Sequence, residues 1–185
     1  MALHEDSTPR AIPAIALIHQ EGVLALLALL GLFLRGGNPL EGLMPRTDIA
    51  GSLVLGAGVG LAASLVIWLF RDVPSLRDLA KWQSRLVRDW TTADAVAVAT
   101  FSGLAEEALL RALLQPILGL VPAALIFAVL HMVPDRRLWL WPVLALGFGL
   151  VLGLLFEVAG FPAAAVAHMV INGLSLLRLR SLKEG

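Results

Sequence analysis

The chain has 185 residues, 58% of them apolar and 15% charged, with 14 Lys and Arg balanced by 14 Asp and Glu. Soluble domains carry roughly 45–50% apolar and about 25% charged residues, so the apolar excess points to a bilayer as the solvent for much of the surface. Zero net charge argues against nucleic acid as a partner, and the absence of cysteine excludes thiol nucleophiles, disulfides and thiolate metal sites.

The opening MALHEDSTPR carries two acids and a single Arg, unlike a cleaved secretory signal, so the first apolar stretch is expected to stay as an anchor. Apolar stretches follow at residues 12–34, 49–70, 92–117, 120–134, 138–158 and 161–177. Most approach the ~20 residues a helix needs to cross a bilayer. They predict an all-α polytopic membrane bundle of about six transmembrane helices. The fourth and sixth are short, and are expected to start inside the bilayer, to tilt, or to be shielded by neighbours. Turns are expected at Gly36, Gly37, Asn38 and Pro39, at Pro134 and Asp135, and at Gly160 with Pro162.

Between the second and third stretches, residues 76–90 place Leu79, Trp82, Leu86 and Trp90 three or four apart, with Arg77, Lys81, Arg85 and Arg88 mostly on other faces. That pattern predicts one interfacial amphipathic helix; the plainer alternative is a solvated connector. In the stretch from Gly147 to Gly153, small residues predict close helix packing rather than dimerisation. Strand-like alternation and internal repeats are missing, so residues 1–185 read as a single membrane domain, and no oligomeric state is assigned. All cations except Arg35, Arg46 and Arg111 fall on one side of this topology. Because positive loops stay inside, both termini are predicted to be cytoplasmic.

Ionisable groups inside a membrane helix cost roughly 2.5–3.5 kcal/mol each on insertion scales, so each needs a partner, a wet cavity or a function. Here they cluster: Glu106, Glu107 and Arg111 in AEEALLR, His131 in FAVLH, and His168 and Asn172 in HMVIN. Glu107 and Arg111 are four apart with the acid N-terminal, the favourable order for an ion pair along one helix face. Glu106 is rotated about 100° from Glu107 and is free to face another neighbour. His168 and Asn172 share a face. At 1.5 Å per residue, Glu106, His131 and His168 each fall roughly 10–17 Å from the outer ends of their helices, so all three can meet at one depth. Asp94 and Glu157 lie near interfaces and read as helix-end residues; His4 and His19 read as solvated.

Hydrolysis of a peptide bond needs an activated water, a proton for the leaving amine, and donors aimed at the oxyanion. Glu106 supplies a base, His131 orients the water or coordinates a metal, and His168 with Asn172 donates to the tetrahedral oxygen. A second arrangement uses Glu106, His131 and His168 as zinc ligands around an open water position. Other designs fit badly: there is no HExxH, there are no paired membrane aspartates, and Ser102-Gly103 lacks the glycine that a GxSG serine motif requires.

These residues resemble the motifs of the CPBP intramembrane proteases, which include type II CAAX prenyl endopeptidases and bacteriocin-processing or self-immunity proteins. EEALLR is similar to the family's EExxxR at Glu106, Glu107 and Arg111; FAVLH to FxxxH at Phe127 and His131; HMVIN to HxxxN at His168 and Asn172. The resemblance covers roughly residues 95–177, the expected catalytic core. It implies an intramembrane endopeptidase in which the first Glu activates water, the first His assists, and the second His with Asn stabilises the oxyanion, with Glu107 and Arg111 in support. It also implies a membrane-associated peptide or protein as substrate. Both glutamate-dependent and metal-dependent chemistry are described for the family. The glutamate reading is favoured, with no cofactor required, because four residues already cover the roles; a divalent metal such as zinc is the alternative. With two helices before EExxxR, the chain resembles a small member whose substrate-recognition parts are missing or supplied by a partner. Two rival functions are a catalytically silent scaffold or immunity partner, and a proton-coupled carrier or heme-binding membrane protein; the absence of an inverted repeat argues against the carrier.

Overall fold

Apolar stretches bounded by Pro, Asp, Thr and Gly become helices in the computed structural model, which describes residues 10–36, 38, 40–133, 135 and 138–182. Helix α1 (Ala14–Leu34) starts after Pro13. Helix α2 (Ile49–Leu69) starts at Asp48, whose carboxylate accepts from the Gly51 N–H at 2.8 Å. Further along come α3 (Pro74–Leu86), α4 (Thr92–Glu107), a π-helical segment (Ala108–Leu114), α5 (Gln115–Leu118), α6 (Leu120–Leu130), α7 (Leu140–Ala159) and α8 (Phe161–Leu179). Thr91 and Asp94 form a reciprocal capping box at the start of α4, the helix-end role expected of Asp94. Of the remaining positions singled out in the sequence, Gly37, Pro39, Pro134 and His4 lie outside the described residues, as do three of the cations counted for the topology, Arg136, Arg137 and Lys183.

Four of the described helices, α1, α2, α7 and α8, are long and apolar enough to cross a membrane. Six were expected. The third stretch is helical from Thr92 to Leu118 but changes from α to π geometry after Glu107 and stops at Gly119, whose φ of +90° suits glycine. The fourth gives only the 11-residue α6, about 16 Å of helix against a hydrocarbon core of ~30 Å. By contrast the sixth stretch, expected to be short, yields a 19-residue α8.

Helix α8 is held centrally. Its Ala163, Ala164, Ala165 and Ala167 are buried, and small side chains let neighbouring backbones come close. On α2, a Cβ at Gly60 would lie 2.8 Å from the Ala167 carbonyl; on α4, one at Gly103 would lie 2.6 Å from Met169. In the 147–153 stretch, Gly149 meets Ala124 and Gly153 meets Gln115, while Gly147 faces open space, so its small residues serve packing within the chain. Leu26, Phe33, Val54 and Val66 are more than half exposed on α1 and α2, an apolar outer surface suited to lipid.

At one end of the bundle the Trp90 indole N–H donates to Ile12 O at 2.7 Å, Ile12 N to Leu86 O at 2.9 Å, and Arg180 Nε to Trp90 O at 3.0 Å. Residues Ile12 and Arg180 therefore sit on the same side, beside α3. The amphipathic reading of this helix holds: Leu79 is buried, Trp82 packs edge-on against Trp141 at 5.6 Å, and Arg77 and Lys81 are exposed. Its apolar face is turned onto the bundle. Trp90 is buried beyond its C-terminal end. At the opposite end, Arg46 N donates to Ala159 O at 3.1 Å and Ser52 Oγ donates to the same carbonyl at 2.7 Å, tying the α1–α2 connection to the α7–α8 corner.

Candidate active site

Glu106 from α4, His131 from the end of α6, and His168 and Asn172 from α8 all line one cavity of about 850 Å³. The rotation between adjacent helical residues separates the two glutamates as expected. Glu106 is half-buried on the cavity wall and has no hydrogen-bond partner among the described residues, whereas Glu107 is wholly enclosed. Phe127 stands between the imidazoles, its ring centroid 4.4 Å from that of His131 and 5.8 Å from that of His168.

Each imidazole is oriented through Nδ1. His131 Nδ1 lies 2.8 Å from the Phe127 carbonyl oxygen, which can only accept, so Nδ1 carries a proton and the neutral ring keeps its Nε2 lone pair. His168 Nδ1 lies 2.9 Å from Glu107 Oε1, and the other oxygen of Glu107 accepts from Arg111 Nε at 3.0 Å. The Glu107–Arg111 pair expected from their spacing therefore forms, and it also anchors His168. The network continues: Arg111 Nη1 donates to Gln115 Oε1 at 3.3 Å, and Gln115 Nε2 donates to Gly153 O and to Glu157 Oε1, both at 3.0 Å. A charge pair with both side chains at 0% exposure is tolerable only with such additional hydrogen bonds.

Asn172 Nδ2 donates to Ser102 Oγ at 2.9 Å, and that hydroxyl donates onward to Ala99 O at 3.3 Å. Ser102, unsuited by its context to a serine-protease motif, instead fixes the amide plane of Asn172, leaving a second N–H on the same nitrogen. Among the described residues no three His, Asp or Glu side chains gather as a metal site requires.

Four polar residues lie outside the motifs. Gln115 links Arg111 to α7, and Glu157, read as a helix-end residue, accepts from it while remaining exposed. Ser102 positions Asn172. Glu21, on α1, is 5% exposed and lines the same cavity, although its segment reads from sequence only as an anchor. The signal that finds it is a single carboxylate within an apolar span. His19 is exposed, as expected.

Residues 88–174 match the family model described as Type II CAAX prenyl endopeptidase Rce1-like. This stretch contains every motif residue, from Glu106 to Asn172. No curated protein and no solved structure matches the chain.

Proposed function

From the match of residues 88–174 to the Rce1-like family model, we propose that the chain is a CPBP-type intramembrane endopeptidase that works by a glutamate-dependent mechanism. The chain is an integral membrane protein with apolar spanning helices, and proteases of this family act on membrane-associated peptides. The observation that supports the mechanism is that Glu106, His131, His168 and Asn172, from three separate helical segments, line the same cavity.

In this mechanism Glu106 accepts a proton from a water whose other hydrogen is directed to the free Nε2 of His131. The water oxygen attacks the scissile carbonyl carbon. The carbonyl π electrons move to oxygen, where the remaining N–H of Asn172 and, when the ring carries its second proton, Nε2–H of His168 receive the negative charge. Glu107 holds His168 in place from behind, with Arg111 balancing the carboxylate. Collapse of the tetrahedral carbon breaks the C–N bond, and the proton held by Glu106 passes to the departing amine. In this reading every step is assigned to the side chains themselves.

The cavity is also lined by Leu76, Leu79 and Gln83 of α3, and by Arg71 and Arg178 at the helix ends nearby. That continuity supports substrate access from the α3 end, the side predicted to be cytoplasmic. A comparison of membrane proteomes with the wild type and with Glu106→Gln tests the reading. New peptide termini are expected only with the wild type, and turnover of an identified substrate is expected to fall about 10³-fold in the variant. Equal termini in both, from equally folded protein, would overturn it.

A further inference from the structure

Glu21 has no role in the mechanism above, yet it is one of the few charged side chains enclosed within the bundle. Its Oε2 is sealed from solvent and has no hydrogen-bond partner among the described residues. A buried acceptor left unmade is costly, so a group that supplies the missing donor gains a correspondingly large interaction. Glu21 shares the cavity lining with Glu106, on α4 against which α1 packs, and with His168 on α8.

We propose that Glu21 makes the catalytic cavity a receptor for a cation carried on an apolar stem, namely the side-chain ammonium or guanidinium of a Lys or Arg beside the scissile bond of the substrate. The inference rests on the endopeptidase reading and assigns that site a substrate class.

Charge and shape both support this occupant. The buried Arg111 and His168 are both committed to Glu107, Arg111 Nε at 3.0 Å and His168 Nδ1 at 2.9 Å, which leaves the carboxylates of Glu21 and Glu106 on the cavity lining without a bonded cation among the described residues. The other cations on its lining, Arg71 and Arg178, come from the C-terminal ends of α2 and α8. Arg71 is engaged there by Asp72 at 3.7 Å and by the Trp68 ring at 4.1 Å. Walls at Leu17, Leu61, Leu65, Phe148 and Leu152 accept the methylenes of a long side chain, which buries its stem and delivers its charged head to an acid. Such a cation offers N–H donors to Glu21 once the carboxylate turns its enclosed, unpartnered oxygen toward the cavity, and its charge is opposed by two carboxylates rather than one. A neutral donor would satisfy the hydrogen bond without meeting the excess of negative charge.

The test uses the full chain in maltoside micelles, with n-octylammonium chloride as the probe and 1-octanol as its uncharged counterpart. Octylammonium is expected to raise the apparent Tm of the wild type about 3 °C more than octanol does. Glu21→Gln, which keeps the side-chain shape, is expected to abolish that difference in the same micelles. Equal responses of the wild type to both probes would overturn the cation site without any variant, as would a Glu21→Gln protein that retains the full difference. A second arm compares two reporter peptides that differ only by Lys or norleucine next to the cleaved bond. The wild type is expected to prefer Lys about tenfold in kcat/KM, through KM, and Glu21→Gln to prefer neither. A wild type that binds octylammonium through Glu21 but cleaves the two peptides equally overturns the substrate assignment; one that cleaves neither overturns the protease reading while the cation site stands.

Discussion

Adjacent carboxylates on a helix point about 100° apart, and in this chain that rotation sends Glu107 into the packed interior while Glu106 stays on the cavity wall. Glu107 then answers two neighbours at once, Arg111 on its own helical path and His168 on α8. Removing its charge strands a buried guanidinium, a defect that costs about 3–5 kcal/mol. Glu107→Gln is therefore expected to lower the apparent Tm and to abolish most cleavage. Replacing both partners, Glu107→Met with Arg111→Met, removes the stranded charge and is expected to recover part of the lost stability. Activity should stay lost because His168 Nδ1 still lacks its acceptor. Thermal melts and cleavage assays on the three proteins check this, and a double variant with restored activity would show that the carboxylate does not orient the imidazole.

Among the elements, the change from α to π geometry at Ala108–Leu114 coincides with the buried polar network. Wider π turns are common where a side chain must be placed for function, and here Arg111 lies within that segment between Glu107 before it and Gln115 after it. Helix α2 contributes differently, by approaching α8 at Gly60 so closely that a Cβ would fall 2.8 Å from both Ala167 O and Val170 Cβ. His168 follows directly in sequence. Gly60→Ala is expected to push the helices apart, lowering stability by about 1–3 kcal/mol and reducing cleavage. At Gly58, two residues away, an added Cβ would meet nothing within 4 Å, so Gly58→Ala is expected to be neutral or stabilising by up to about 1 kcal/mol through helix propensity alone. Melting curves of the two alanine variants should differ accordingly, with Gly60→Ala well below the wild type and Gly58→Ala at or above it.

Across the molecule as a whole, the contacts joining Ile12, Leu86, Trp90 and Arg180 place both ends of the described chain beside α3. The distribution of Lys and Arg predicts that this end faces the cytoplasm. Because the chain has no cysteine, single cysteines report the orientation directly. In intact cells an impermeant maleimide is expected to label Leu40→Cys, in the α1–α2 connection, and to reach Arg88→Cys only after the membrane is permeabilised. The reverse pattern would place α3 and the cavity mouth outside.

The helical class, the membrane setting and four polar residues that line the cavity were legible in the chain, because charged and amide side chains stand out against apolar helices and a fixed turn angle relates neighbours four apart. The same rules made the Glu107–Arg111 pair, the separation of Glu106 from Glu107, and the amphipathic face of α3 readable in advance. Contacts between helices were not, since nothing in one helix's periodicity states which neighbour it meets or at what register. It took the packed bundle to show that Glu107 holds His168, that Ser102 holds Asn172, that Glu21 shares the cavity, and that four rather than six of the described helices are long and apolar enough to span. Two breaks in regular geometry fall beside the site: the third stretch leaves α geometry at Ala108–Leu114, where Arg111 meets Glu107 and Gln115, and α6 ends at Leu130, just before His131 on the cavity lining.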